Sequence, residues 1–317
     1  MTSSPDTLSP FEITKRRSEA GLSTMRAIAA ELIGDDDRFV VGVNGSYARR
    51  EVTSGSDVDL FILYRKDALA EASDIQNRLR ERLEIEGFKM PASDGVFERP
   101  LAISGLTETI GGMDDSNDTI TRRMLLLLEG EWVFGEPGFE DARNRLLNQY
   151  VAEAIRPEQI AMFLLNDIIR YWRTICVDLE HKVQVGGKPR AIRLIKLRFS
   201  RMLLFVAGVL AVGETFGYER DAKLLRLTTL LSLPAYERVQ SIVGNNSLAI
   251  LKLYDDFLDN LDDAHIRAQL SQQSPDGENS EAFEQLRAKA QLFRDGLLDM
   301  LHNHFGADNP TLSAMML

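Results

Sequence analysis

The segment from Val43 to Leu63, reading Val-Asn-Gly-Ser-Tyr-Ala-Arg-Arg-Glu-Val-Thr-Ser-Gly-Ser-Asp-Val-Asp-Leu-Phe-Ile-Leu, constrains this chain more than any other. The apolar run Phe39 to Val43 leading into it reads as a buried strand. A second run, Val58 to Tyr64, is apolar apart from Asp59. Only a glycine-serine turn and a short helix near Ala48 fit between them. Asp57 and Asp59 flank Val58 at the start of the second strand. Alternation puts their side chains on one face, with α-carbons roughly 6 to 7 Å apart. Two like charges so placed repel unless a cation lies between them. Magnesium suits, because it takes one or two carboxylates together with phosphate oxygens and water. Ahead of the pair, Gly45-Ser46 ends a strand and opens a helix, where free N–H groups meet an anion and glycine permits close backbone approach. A lone Asp-x-Asp or a lone Gly-Ser carries little information; both together at adjoining strand ends predict a phosphate cradle beside a metal site.

The surrounding chain supports a sheet at this point. Ser9-Pro10-Phe11-Glu12 supplies an N-cap, a proline at the first helical position and an acid three residues after the cap, so a helix is expected from there to about Ile33, broken at Gly34. An amphipathic helix from about Ala68 to Glu86, a strand over Val96 to Ile103 and a helix over 119–129 ending at Gly130 complete an alternation of strands and helices. From Arg156-Pro157 onward apolar residues recur every three to four positions (Ile160, Phe163, Leu164, Ile168, Tyr171, Trp172, Ile175, Leu179), and no further strand is indicated. Helix starts are expected near Pro189, Ser232-Leu233-Pro234 and Asn246-Ser247, with a polar loop over 270–281. The expected fold is α+β: an N-terminal domain with a small mixed sheet over residues 1–138, then an all-α helical bundle over 139–317.

At 317 residues two domains are expected. The longest apolar run, Met202 to Val212, has eleven residues, about half the ~20 needed to span a bilayer, so it reads as a buried core helix. No secretory signal is visible at the N-terminus, which makes a cytoplasmic, membrane-free protein the expectation. Cys176 is the single cysteine and excludes an internal disulfide; its apolar neighbours Ile175 and Val177 predict a buried thiol. None of His181, His265, His302 and His304 has the spacing of a helical zinc site. A net charge of −11 argues against a protein that mainly grips nucleic acid. One basic stretch stands out: Lys182, Lys188, Arg190, Arg193, Lys196, Arg198 and Arg201, with no acid among them. A helix starting near Pro189 would bring Arg193, Lys196, Arg190 and Arg201 to neighbouring turns, able to reach phosphates across a cleft, or would simply present a solvated face. Lys196 is the preferred single residue.

G-S-x-A-R-x-E (Gly45, Ser46, Ala48, Arg49, Glu51) followed by S-D-x-D-L (Ser56, Asp57, Asp59, Leu60) resembles the signature of the DNA polymerase β nucleotidyltransferase superfamily. Within it, the chain looks most like bacterial members near the protein-modifying uridylyl- and adenylyltransferases, in which a catalytic domain precedes a helical one. The resemblance implies that Gly45 and Ser46 hold the β- and γ-phosphates of a nucleoside triphosphate such as ATP, that Asp57 and Asp59 bind Mg2+ or Mn2+, and that Arg49 neutralises the triphosphate or packs the motif helix. The family also places a third carboxylate, the general base, on a later strand. Asp94 and Glu98 are the candidates, though neither has apolar neighbours on both sides.

The chemistry so implied is in-line attack of an acceptor hydroxyl on the α-phosphorus, with pyrophosphate leaving and two metals supporting the attacking and leaving oxygens. A protein acceptor is the first expectation. A small cationic acceptor of the aminoglycoside kind is the alternative, favoured if Asp114, Asp115 and Asp118 line an acidic cleft; Arg122 and Arg123 are then either surface charges or substrate contacts. A third expectation is a catalytically weak nucleotide-binding module of the regulatory or toxin-antitoxin kind. The Arg-to-His spacing of an RNase partner is absent, since Arg173 precedes His181 by eight residues.

Overall fold

A computed structural model of the chain describes residues 8–91, 97–108, 110–112, 115–184, 189–272 and 280–316, and at 182 and 184 the backbone alone. The first helix, α1 (Pro10–Ile33), begins as expected: the Ser9 side chain accepts the Glu12 N–H, Pro10 sits in the first turn, and Gly34 ends it at φ +70°. Then come β1 (Phe39–Asn44), α2 (Gly45–Ala48), β2 (Asp59–Tyr64), α3 (Leu69–Ile85), β3 (Leu101–Ala102), α4 (Ile103–Thr107), α5 (Asn117–Leu128) and β4 (Glu131–Phe134). From α6 (Glu136–Tyr150) onward only helices follow among the described residues: α7 (Met162–Gln184), α8 (Arg190–Lys196), a π-helical turn (Leu197–Arg201), α9 (Met202–Gly213), α10 (Arg220–Leu231), α11 (Ala235–Val243), a 3-10 turn (Gly244–Ser247), α12 (Leu248–Asp262), α13 (Ala264–Leu270), α14 (Glu281–Phe305) and α15 (Thr311–Ala314).

The sheet order is β3-β2-β1-β4, with β1 antiparallel to both β2 and β4, and β3 parallel to β2. The mixed sheet and the α+β class therefore match the expectation. All six residues of β1 are buried, as befits a central strand covered on both faces. Alternation along β2 divides the molecule. Leu60 and Ile62 join Leu22 and Met25 of α1 and Leu79 of α3 in one core, whereas Phe61 and Leu63 face the other way. The Phe61 ring occupies the space beside Gly42, where a Cβ would come within 2.3 Å of it. That second face shares one continuous core with the helical region, including Phe139, Leu203, Phe257 and Phe293.

Several expectations change. The strand expected over Val96 to Ile103 shrinks to two residues, because the chain enters α4 at Ile103; residues 92–96 lie outside the described set. Neither β4, too short to show a pattern, nor α6 was anticipated, and residue 138, the expected domain limit, falls in the first turn of α6. Cys176 is only half-buried, and Val177 is 70% exposed: on a helix successive side chains diverge by about 100°, so apolar sequence neighbours do not imply burial. Met202 to Val212 is the buried helix expected. Among the described residues no helix is long and apolar enough to cross a membrane.

Candidate active site

The site lies where β1 ends and β2 begins. Asn44 is paired with Asp59 across the antiparallel ladder, so the Gly45 turn and the first residue of β2 share one end of the sheet. Gly45 has φ +72°, and a Cβ there would lie 2.1 Å from Asp59 Oδ2. Any other residue would push the backbone off the carboxylate. Asp57 and Asp59 open to solvent on either side of buried Val58. Among the described residues neither carboxylate forms a hydrogen bond or an ion pair. Asn44 beside them is buried, and its Oδ1 has no hydrogen-bond partner.

Behind the turn stands Glu129, at the end of α5, with a side chain fully shielded from solvent. It accepts 2.6 Å from Arg49 Nη1, 2.7 and 2.9 Å from Arg201 Nη1, and 3.4 Å from the Gly45 N–H. Arg49 Nε donates to Glu51 at 2.9 Å, and the Tyr254 hydroxyl of α12 bonds the other Glu51 oxygen. The motif helix is thus tied to the helical region by buried charges. Arg201 ends the π-helical turn that follows Lys196. In an α-helix residues five apart diverge by about 140°, whereas an i→i+5 turn brings them to nearly the same side, which lets Lys196 and Arg201 approach the site together. From α13, Arg267 donates to Thr53 Oγ1 at 3.2 Å and to the Gly55 carbonyl at 2.5 Å, holding the segment that leads to Asp57.

The electrostatics follow from this crowding. Although Asp59 keeps a face open to solvent, the surrounding protein strips enough water to push its carboxyl up to about 6, with Arg201 pulling the other way. Burial opposes ionisation of Glu129 too, but Arg201 and Arg49 outweigh it and hold that carboxyl down to about 2. Burial, then the nearby Arg267, push the Lys196 ammonium down to about 8 against the attraction of Asp57. Among the described residues Lys196 has no hydrogen-bond or ion-pair partner.

Gly45 and Ser46 thus lie beside Asp59 at one end of the sheet, with Asp57 next to them and Lys196 close enough to feel the Asp57 charge. Arg49 lies behind the turn, where its Nε and Nη1 bind Glu51 and Glu129, contacts that pack the motif helix. Arg193 is half-buried and bonds to none of these groups among the described residues. Glu98 is exposed and likewise makes no bond to the cluster, while Asp94, Asp114 and Lys188 lie outside the described residues, as does the Lys182 side chain. The strand beside β2 contributes Leu101 and Ala102, not a carboxylate. Two surface readings are corrected. Arg123 is wholly buried, its guanidinium donating to both oxygens of Asp115 at 2.8 Å and to Asp167 at 3.0 Å. Asp115 is thereby neutralised inside the protein and lines no acidic cleft.

Glu129 and Arg267 were not singled out from sequence. Arg267 lies more than 200 residues from its partners and gave no local signal. Glu129 gave one: a carboxylate closing a helix opposes the helix dipole, a local misfit that calls for a cation from elsewhere.

A divalent cation fits the donor set, with two unpartnered carboxylates, one of them depleted of water, and an orphaned amide oxygen beside them. Among the described residues no group of three or more His, Cys, Asp or Glu could hold a metal ion by itself, so further oxygens would have to come from phosphate or water. No curated protein matches the chain. Residues 23–92, a segment that contains the Gly45 turn and both aspartates, match the family model of the nucleotidyltransferase domain, which supports a likeness to the polymerase β superfamily.

Proposed function

We propose that the chain transfers a nucleoside monophosphate from a nucleoside triphosphate to an acceptor hydroxyl, most readily one on a protein, and releases pyrophosphate. The observation that carries this reading is the pair of unpartnered carboxylates, Asp57 and Asp59, packed against a glycine turn inside a nucleotidyltransferase domain. Asp57 and Asp59 hold Mg2+ or Mn2+, which supplies positive charge to the phosphate oxygens. The Ser46 backbone and hydroxyl, with the Lys196 ammonium, receive the phosphate chain. The acceptor oxygen forms a bond to the α-phosphorus as the bond from that phosphorus to the bridging oxygen breaks; the hydroxyl proton passes to water or to a carboxylate. Neutralisation of Asp115 removes one reason to expect a cationic acceptor and favours protein over an aminoglycoside-type substrate. A second reading, a catalytically weak nucleotide-binding module, is favoured by β3, which carries no base.

The test is to incubate the purified chain with each α-labelled nucleoside triphosphate and Mg2+, with and without cell lysate, beside the Asp57→Asn, Asp59→Asn double variant. Label transferred only by the unsubstituted chain is expected, and its destination identifies the acceptor. Nucleotide binding without pyrophosphate release under any condition would favour the weak module instead.

A further inference from the structure

We propose that Glu129 is a positioning residue whose ion pairs keep the Arg201 guanidinium away from Asp57 and Asp59, leaving both carboxylates free for a divalent cation. The inference rests on the nucleotidyltransferase reading above. Glu129 and Asp59 flank the same glycine: Glu129 accepts the Gly45 N–H, and Asp59 Oδ2 lies 2.1 Å from where a Gly45 Cβ would stand. Arg201 therefore has two anions within reach. It bonds both oxygens of Glu129 through Nη1, while its Nε and Nη2 make no hydrogen bond among the described residues. Of all nearby charges, Arg201 acts most strongly on Asp59.

Solvation decides which anion Arg201 takes. The Glu129 side chain is wholly shielded and that of Arg201 is 30% exposed, whereas Asp59 opens to water. An ion pair in the less polar surroundings is the stronger, and the fully shielded Glu129 draws on Arg201 as well as Arg49 to balance its charge. Arg49 fixes the arrangement from the other side. Its ion pairs to Glu129 and Glu51 stop the Glu129 carboxylate from following Arg201 toward the aspartates. Remove the Glu129 charge, and Asp59, on which Arg201 already acts more strongly than any other charge does, becomes an anion that Arg201 can turn to and that a metal must then win back.

The test compares the full-length chain with Glu129→Gln, Arg201→Gln and the double variant, each checked for native circular dichroism. Mn2+ binding is read by electron paramagnetic resonance at a saturating non-hydrolysable triphosphate analogue. Glu129→Gln is expected to weaken Mn2+ binding roughly 10- to 100-fold, the range typical of groups that orient metal ligands. Arg201→Gln should bind Mn2+ at least as tightly as the parent, and adding it to Glu129→Gln should restore most of the loss. A merely structural role for Glu129 would leave the double variant as weak as Glu129→Gln, or weaker, and that result overturns the proposal. So does unchanged binding in Glu129→Gln, or, if that variant fails to fold, a tenfold loss in Arg201→Gln alone. An unsubstituted chain that binds the nucleotide analogue but no Mn2+ overturns the metal assignment to Asp57 and Asp59 along with this proposal.

Discussion

Two arginines, the buried Arg123 and the part-buried Arg201, sit in clusters that look alike on paper and differ in what they leave over. Arg123 bonds Asp115 twice, Asp167 once and the Tyr150 hydroxyl at 2.9 Å; Tyr150 in turn bonds Asp167 at 2.6 Å, and Gly111 N–H caps Asp115 at 2.9 Å. Arg170, on the solvent side, adds a second cation to Asp167 at 3.0 Å, so every charge in that cluster has a partner. Around Arg201 the pairing is incomplete. Glu129 is satisfied, but one edge of Arg201, both aspartates and Lys196 are left without bonds among the described residues. Buried charge by itself therefore marks stability in one place and a site in the other. What separates them is whether the charges are all spoken for, and unspent charges at a glycine turn are what a charged ligand would use.

The comparison breaks most visibly if Arg123 matters to binding. Arg123→Ala leaves Asp115 and Asp167 with the half-exposed Arg170 as their one cation, so urea unfolding should show a loss of about 3 kcal/mol, the lower end of what breaking a buried pair costs. The variant that remains folded should bind nucleoside triphosphate as the parent does. An affinity loss larger than the stability loss would put Arg123 at the substrate and erase the distinction drawn here.

Lys196 tests the open cluster in the opposite sense. Lys196→Ala removes an unpartnered ammonium, so stability should hardly fall, while triphosphate affinity should drop about 10- to 100-fold, as expected for a hydrogen bond to a charged group. With its ammonium pushed down to about 8, Lys196 loses its charge as pH rises through that value. Parent affinity should therefore weaken above pH 8, whereas the variant stays flat; an equilibrium titration with a fluorescent triphosphate at pH 7 and pH 9 distinguishes them. Equal slopes would remove Lys196 from the phosphate contacts.

These predictions draw on parts of the molecule that were unequally visible in the sequence. The α1 start was legible because Ser9, Pro10 and Glu12 act within one turn, and the Gly45 turn with Asp57 and Asp59 because neighbouring strand ends are close both in sequence and in space. Burial of Arg123 was not legible: its charge suggested a surface, and the carboxylate that reverses this, Asp167, lies 44 residues away. Glu129 depends on partners 80 and 72 residues distant on opposite sides of it. Ion pairs of this kind are set by tertiary packing, which no local period records. The helical face around Lys196 was read as an α-helix, and the π turn that brings Arg201 alongside has no reliable signature in composition.

The smallest effect is also the sharpest contrast, because its sign reverses between the clusters. Asp59 has a folded-state value of about 6 against an ordinary 3.8. Between those values the folded chain keeps a proton that the unfolded chain has released, so Asp59 works against folding increasingly from about pH 4 to pH 6 and fully above that. In metal-free buffer at pH 7.5, Asp59→Asn should melt higher than the parent, by on the order of 1–2 °C because solvent screens its open face, and the gain should vanish near pH 4. Adding Mn2+ with a triphosphate analogue should reverse the order, since only the parent gains from binding. Asp115 has the opposite sign. Burial raises its carboxyl, but the Arg123 ion pair prevails and holds it below 3.8. Its contribution is complete above that ordinary value and is lost as pH falls through the lowered one. Asp115→Asn should thus melt lower than the parent at pH 7.5 and approach it only in strong acid. Differential scanning calorimetry of both variants across this range shows whether Asp59 is held in strain for a ligand: two melting shifts of the same sign would mean that the open cluster is no more poised than the closed one.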